Sequence, residues 1–255
     1  MGLDNQVKDI QIAGYGFVGQ AHALSLYPRH KTYVYDPAKG YSNWWKNADC
    51  YIICVSTPMA EDGSCDMSNV YDILESCPDD TPILIKSTIS LEGWEEIQKQ
   101  WPNKLITFSP EFLRAEHAMQ DFRDQEKIYI GGGDHKFWGG LLSEALNTTV
   151  VSCGPKELIL TKYFRNAFLA AKVAFFNQVY DLCIATGVEP NQTLDLITKD
   201  PRIGTSHSYV TAERGYGGHC FPKDVSAILF TADYYGEDLS ILEEVKHYNQ
   251  DVRGE

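Results

Sequence analysis

The sequence predicts an α/β fold: a mostly parallel sheet followed by a helical domain built on one long helix. Three observations predict it. Short apolar runs bounded by turn residues alternate with helical stretches from Ile10 to Ser152, the pattern of strands joined by crossover helices. The first apolar run enters a glycine cluster and a helix follows directly. From Pro155 to about Thr186 the chain holds no further Gly or Pro and then stops at Gly187, which reads as a single long helix.

The elements follow in order. A strand at 10–13 runs into Gly14-Tyr15-Gly16-Phe17-Val18-Gly19, and 21–26 continues as a helix. In Gly-x-Gly-x-x-Gly the first glycine makes the turn and the second lets backbone approach a pyrophosphate at the helix N-terminus. The third lets helix pack on strand. The second strand, 32–36, ends in Asp36 about 20 residues on, where a carboxylate accepts a ribose hydroxyl and repels a 2′-phosphate. This register is that of a Rossmann-type dinucleotide site, with NAD favoured over NADP. Further strands are expected at 50–56, 82–86, 105–108, 127–131 and 149–152, with helices near 67–76 and 134–146. No element is assigned between 86 and 105, or between 108 and 127.

The expected domains are 1–153, binding NAD, and 154–255, helical. The long helix is apolar around much of its girth, through Leu158, Leu160, Tyr163, Phe164, Phe168, Leu169, Val173, Phe175, Phe176 and Val179. Such a helix fits burial between subunits, giving a homodimer, or the central core helix of a monomer. Shorter helices are expected near 191–199, 223–235 and 239–250.

Composition excludes several classes. A net charge of −13 over 255 residues disfavours nucleic acid or an anionic membrane as partner. No apolar run reaches the roughly 20 residues of a membrane span, and no signal peptide pattern is visible. Seven cysteines, at 50, 54, 65, 77, 153, 183 and 220, show neither paired nor metal-ligand spacing. They read as reduced thiols of a cytoplasmic protein without a metal.

The stretch Gly215-Tyr216-Gly217-Gly218-His219-Cys220-Phe221-Pro222-Lys223-Asp224 carries the chemistry. Glycines allow close approach of backbone to a ligand. A thiol beside a cation ionises more readily, and the thiolate is the nucleophile. Taken alone, the stretch reads equally well as a Gly-rich turn with a structural thiol.

With its neighbours, it resembles the UDP-glucose and GDP-mannose dehydrogenase family of nucleotide-sugar dehydrogenases. The matching segments run through nearly the whole chain in order. After the glycine fingerprint come Cys54-Val55-Ser56-Thr57-Pro58, Gly63 and Asp66, then Lys86-Ser87-Thr88 and Phe108-Ser109-Pro110-Glu111-Phe112-Leu113-Arg114. Lys162-Tyr163, Asn166-Ala167-Phe168-Leu169-Ala170 and Lys172-Val173 follow on the long helix. Asp200-Pro201-Arg202-Ile203-Gly204 and the Cys220 motif complete the set.

The resemblance implies oxidation of a sugar C6 alcohol to a carboxylate with two NAD, through a Cys220 thiohemiacetal and thioester. It assigns Lys162 and Asn166 to the developing oxyanion, Asp224 to a water, Glu111 to the base of thioester hydrolysis, and Thr88 to placing that water. For the cofactor it implies Gly14, Gly16, Phe17, Val18, Gly19, Asp36, Val55, Thr57 and Thr88. For the substrate it implies Phe112, Leu113, Arg114, Lys162, Asn166, Gly217 and, across a dimer interface, Arg202.

Three departures stand out. The family's second glutamate, four residues after the position of Glu111, is replaced by Ala115 with Glu116 beside it. The link after Asp36 is short, only 37–49. The family's C-terminal domain, which binds the substrate's nucleotide, is not found before Glu255. The chain is therefore expected to be either a fragment or, as the short internal link favours, a compact natural form, with a separate chain as a candidate source of that domain. The alternatives are a catalytically impaired NAD-binding subunit or regulator, and a single-hydride dehydrogenase of a smaller hydroxy compound. The latter does not need Cys220.

Overall fold

The computed structural model describes residues 6–114 and 117–254. Ala115 and Glu116, the site of the first departure, lie outside the described residues.

Seven strands form one sheet in the order β2-β1-β3-β4-β5-β6-β7. They are β1 Asp9–Ala13, β2 Lys31–Tyr35, β3 Cys50–Ile53, β4 Ile83–Ile85, β5 Ile106–Phe108, β6 Lys127–Gly132 and β7 Thr149–Ser152. All neighbours pair parallel except β5 and β6, so the mostly parallel sheet is as expected. The central strands are buried on both faces, and they read as continuous apolar runs for that reason (Ile83, Leu84 and Ile85 have no exposed surface).

One face carries the main core. Ile10, Ile12, Ile52, Leu84, Ile128 and Ile130 pack with Leu26, Trp138 and Leu142 from the helices α1, Phe17–Leu26, and α5, His135–Leu146. The other face shows how the short link works. A parallel crossover usually lays a helix over the sheet. Residues 37–49 hold only a single 3₁₀ turn, Pro37–Lys39, and cover the face with aromatic rings instead. Trp45 stacks on Tyr33 at 4.9 Å, and Trp44 stacks on Tyr51 at 5.3 Å. Gln11, fully buried in β1, accepts the Trp45 N–H at 2.8 Å and donates to the Tyr33 carbonyl at 3.1 Å. The link thus provides the donor for the buried Gln11 oxygen.

Two helices were not expected from the sequence: α3, Leu91–Gln100, and α4, Ala118–Asp124. Ser90 caps α3 by accepting the Gly93 N–H. Helix α2 is Ser68–Ser76.

The chain divides into two compact units. The first comprises residues up to Pro58 and Asp66–Lys162. The second comprises Met59–Cys65 and Tyr163 onward. The long helix α6, Pro155–Thr186, matches its expected bounds and begins in the first unit. In the second unit follow α7, Pro190–Thr198, α8, Phe221–Tyr235, and α9, Ser240–Arg253. By length and composition α6 could cross a membrane. Its polar side chains are engaged by folded neighbours, however: Lys172 Nζ donates to the carbonyls of Ile203 and Gly204 at 2.7 and 3.1 Å.

Candidate active site

The glycine fingerprint is built as its spacing predicts. Gly14 has φ +89°, and its N–H donates to the Tyr35 carbonyl at 2.8 Å. A Cβ there would lie 2.5 Å from the Cys54 carbonyl oxygen, and one on Gly19 would lie 2.0 Å from the Gly14 oxygen. Both glycines are required by packing. Gly16 differs: nothing lies within 4 Å of its would-be Cβ. Gly16 caps α1, whose first turn has no side-chain cap and no acidic residue. The α1 N-terminus is therefore an open anion site beside an uncrowded backbone, which fits a dinucleotide pyrophosphate. At the end of β2, Asp36 accepts the Tyr15 N–H at 2.8 Å, and Lys39 Nζ donates to the Tyr15 carbonyl at 2.7 Å. Asp36 is thus tied to the fingerprint turn. Phe17 is exposed, Val18 and Val55 are half-buried and Thr57 is buried. Thr88 is half-buried in the segment after β4.

A second cluster of the first unit surrounds Glu111. The carboxylate is almost fully buried, and Oε1 accepts the N–H groups of Phe112 and Leu113 at 2.7 and 3.1 Å. Among the described residues Oε2 has no hydrogen-bond partner, and it lies 3.4 Å from Lys86 Nζ. Lys86 is itself 4% exposed and donates to Ser109 Oγ at 2.9 Å and the Pro110 carbonyl at 3.4 Å. A carboxylate in this setting keeps one acceptor oxygen available while a buried cation balances its charge. Lys162, on α6, donates to the Glu111 carbonyl at 2.5 Å and sits 5.7 Å from the Phe112 ring centroid. The chain brings together Glu111, Phe112 and Lys162, and adds Lys86. Arg114 is exposed and forms a bidentate pair with Asp121 at 3.0 and 2.6 Å. Those hydrogen bonds, foremost from the Arg114 side chain, hold the Asp121 carboxyl down at about 2.

The third cluster belongs to the second unit. Cys220 is exposed and is the N-cap residue of α8. Asp224, in the first turn of α8, is 1% exposed. Its Oδ2 accepts Asn166 Nδ2 at 2.5 Å and its Oδ1 accepts Lys223 Nζ at 2.6 Å. The helix N-terminus places partial positive charge beside the thiol, which suits a thiolate or an anionic adduct. The sequence offers Lys223, three residues after Cys220, as the cation beside the thiol; its Nζ is engaged by Asp224. Lys162 and Asn166 are one turn apart on α6. Gly217 is half-buried, and a Cβ there would lie 3.0 Å from the Arg253 guanidinium. Arg202 is exposed, its guanidinium held by Asp200 in three hydrogen bonds of 2.6–3.1 Å.

A family model described as "UDP-glucose/GDP-mannose dehydrogenase family, NAD binding domain" matches residues 29–146, and the central domain of the same family matches 157–251. UDP-glucose 6-dehydrogenase of Rickettsia felis is 32% identical over 225 residues, 82% of this chain and 49% of that protein. The Pseudomonas aeruginosa protein of the same name is 34% identical over 223 residues, 80% and 49% respectively. The chain spans about half the length of the curated relatives it matches. Among solved structures, a UDP-glucose dehydrogenase from Pyrobaculum islandicum aligns with a TM-score of 0.82 at 24% identity, covering 98% of this chain and 70% of that one. A 3-hydroxyisobutyrate dehydrogenase from Mycobacterium tuberculosis aligns at 0.73 and 16% identity, covering 96% and 94%. These two alignments establish a shared fold.

Proposed function

Since this chain belongs to the UDP-glucose/GDP-mannose dehydrogenase family, we propose that it is an NAD-dependent nucleotide-sugar 6-dehydrogenase. The observation that carries the reading is Cys220 on the N-terminus of α8 with Asp224, Lys223 and Asn166 joined beside it. A cofactor-binding module without chemistry has no use for this set.

When bound at the fingerprint, NAD supplies the hydride acceptor for each of two oxidations. The chain's own residues do the rest. The substrate alcohol at C6 loses a proton and a hydride and becomes an aldehyde. The Cys220 sulfur adds to the aldehyde carbon, giving a thiohemiacetal. Lys162 and Asn166 stabilise the oxyanion that forms, as cationic and amide donors suit. Loss of the second hydride leaves a thioester on Cys220. Glu111, through the oxygen without a hydrogen bond, takes a proton from the attacking water, and Thr88 helps place that water. The C–S bond breaks, releasing the carboxylate and restoring the thiol. Phe112, Leu113, Arg114, Arg202 and Gly217 are assigned to holding the substrate.

The reading includes a cofactor domain of 1–153, a helical domain of 154–255, and a homodimer through α6. Phe164, Phe168, Phe175 and Leu182 support the dimer: they are exposed and recur along that helix. A single-chain mass by light scattering at micromolar concentration would remove it. A partner chain supplying a substrate domain remains part of the proposal.

The fold is shared with a hydroxyacid dehydrogenase, so fold alone does not choose the reaction; Cys220 does. The test is the number of NADH formed per sugar consumed, with UDP-glucose, GDP-mannose and UDP-N-acetyl sugars. Two per sugar supports the four-electron reaction. One per sugar points to single hydride transfer. None, with NAD still bound, points to the subunit or regulator.

A further inference from the structure

We infer that Asn249, with Asn177 and Arg253, positions the loop that presents Cys220. This inference rests on Cys220 being the nucleophile. The segment between Arg214 and Cys220 belongs to no helix or strand, so its backbone groups need partners from elsewhere. Side chains of two helices provide them. Asn249, on α9 and 4% exposed, accepts the Tyr216 N–H at 2.6 Å and donates to the Tyr216 carbonyl at 3.1 Å. Its amide therefore replaces the neighbouring strand that a ladder would supply. Asn177, on α6 and 1% exposed, accepts the Gly215 N–H at 3.1 Å and Arg214 Nε at 2.9 Å. Its own Nδ2 donates to the Val173 carbonyl at 2.9 Å, which fixes the orientation of the amide. Arg253 Nη1 donates to the Arg214 carbonyl at 3.1 Å.

Steric contacts reinforce the hydrogen bonds. Arg214 and Gly215 both have φ +56°, an uncommon backbone for arginine that needs support. A Cβ on Gly215 would lie 2.4 Å from Asn249 Oδ1, so only glycine lets the amide come this close. The buried Tyr216 ring meets Phe221, the residue after Cys220, edge-on at 6.4 Å. The anchored backbone is thus tied through Tyr216 to the start of α8. A loop fixed in this way does not have to be ordered when the aldehyde forms, which is the gain from preorganisation.

Asn249→Asp is the sharpest variant. It keeps the acceptor for the Tyr216 N–H and sets an oxygen against the Tyr216 carbonyl. Arg253→Met, which removes the donor to the Arg214 carbonyl, is the second variant should the first not fold. Amide exchange of 215–220 is measured by mass spectrometry, and turnover with UDP-glucose and NAD as probes. Exchange across that segment is expected to speed about tenfold while α8 stays slow. The kcat is expected to fall about tenfold with KM for NAD unchanged, and NADH per sugar to drop below two as aldehyde escapes capture. Unchanged exchange in a folded variant overturns the positioning role, as does faster exchange with undiminished kcat. Cys220→Ser separates this from the function reading: uronate formation by that variant removes the nucleophile itself. If the unaltered chain forms no NADH from UDP-glucose, that reading fails for this sugar, and the exchange measurement alone decides whether the loop is anchored.

Discussion

Glu111 and the loop before Cys220 are each placed by a polar network, and the two networks lean on different groups. Around Glu111 the partners are a buried cation and the backbone just beyond a central strand. Around Cys220 the loop backbone is held chiefly by two neutral amides from helices, with Arg253 adding one donor, and the thiol stays exposed. Buried charge gives strong orientation but makes the fold dependent on every member. Amide anchoring leaves the reactive atom accessible at smaller risk to stability. The comparison teaches that a buried carboxylate and an exposed thiol, the groups proposed as base and nucleophile, ask different things of a fold.

Four measurements would break or sharpen it. Cys220→Ser should abolish carboxylate formation by at least about a thousandfold while moving the urea midpoint little, as exposed substitutions do. A large stability loss would mean that the thiol also holds the loop. Lys86→Met should cost roughly 3–5 kcal/mol in urea unfolding, because it strands Glu111 as a buried unpaired charge. Lys86→Met with Glu111→Leu should recover most of that. A neutral Lys86→Met would erase the contrast between the networks.

Acid should find the first unit through His22. Burial, helped by the Lys86 charge and opposed by the Val18 carbonyl, lowers its pKa from 6.5 to about 3. Between those values the unfolded chain takes up a proton that the folded chain refuses. Stability should therefore fall as pH drops through that window, by at most about 1.4 kcal/mol per pH unit from this group. His22→Leu should flatten the slope, and an unchanged slope would assign the acid sensitivity elsewhere. The smallest effect is expected at Ser90→Ala, which removes the α3 cap for about 1 kcal/mol. Thermal unfolding should show it without any change in cofactor affinity.

What sequence revealed, and what it hid, follows the range of the interactions. The strands and the fingerprint are local patterns, and Gly14, Gly16 and Gly19 occupy the places their spacing implies. Helix α3 was missed because Gly93 weakens helix propensity inside it. That glycine is needed, since a Cβ there would press on Met67 at 3.1 Å, a fact absent from the local sequence. The aromatic cover of residues 37–49 was legible only as shortness. Cys220, Asp224 and Glu111 were singled out as candidates through resemblance. Lys86 stood in a motif without a role. Asn177 and Asn249 gave no signal at all, because each meets its loop partner across more than thirty residues.

The unequal shelter of the seven cysteines has a practical result. Cys50, Cys65, Cys77 and Cys183 are buried, Cys54 and Cys153 half-covered, and only Cys220 is exposed. Burial also pushes the Cys54 and Cys77 thiols up to about 12, away from the reactive thiolate at neutral pH. A colorimetric thiol reagent added to the folded protein should therefore register one rapid equivalent, and the full seven only after denaturant. The molecule carries its own single attachment point for a dye or a covalent inhibitor, with no cysteine to be engineered away.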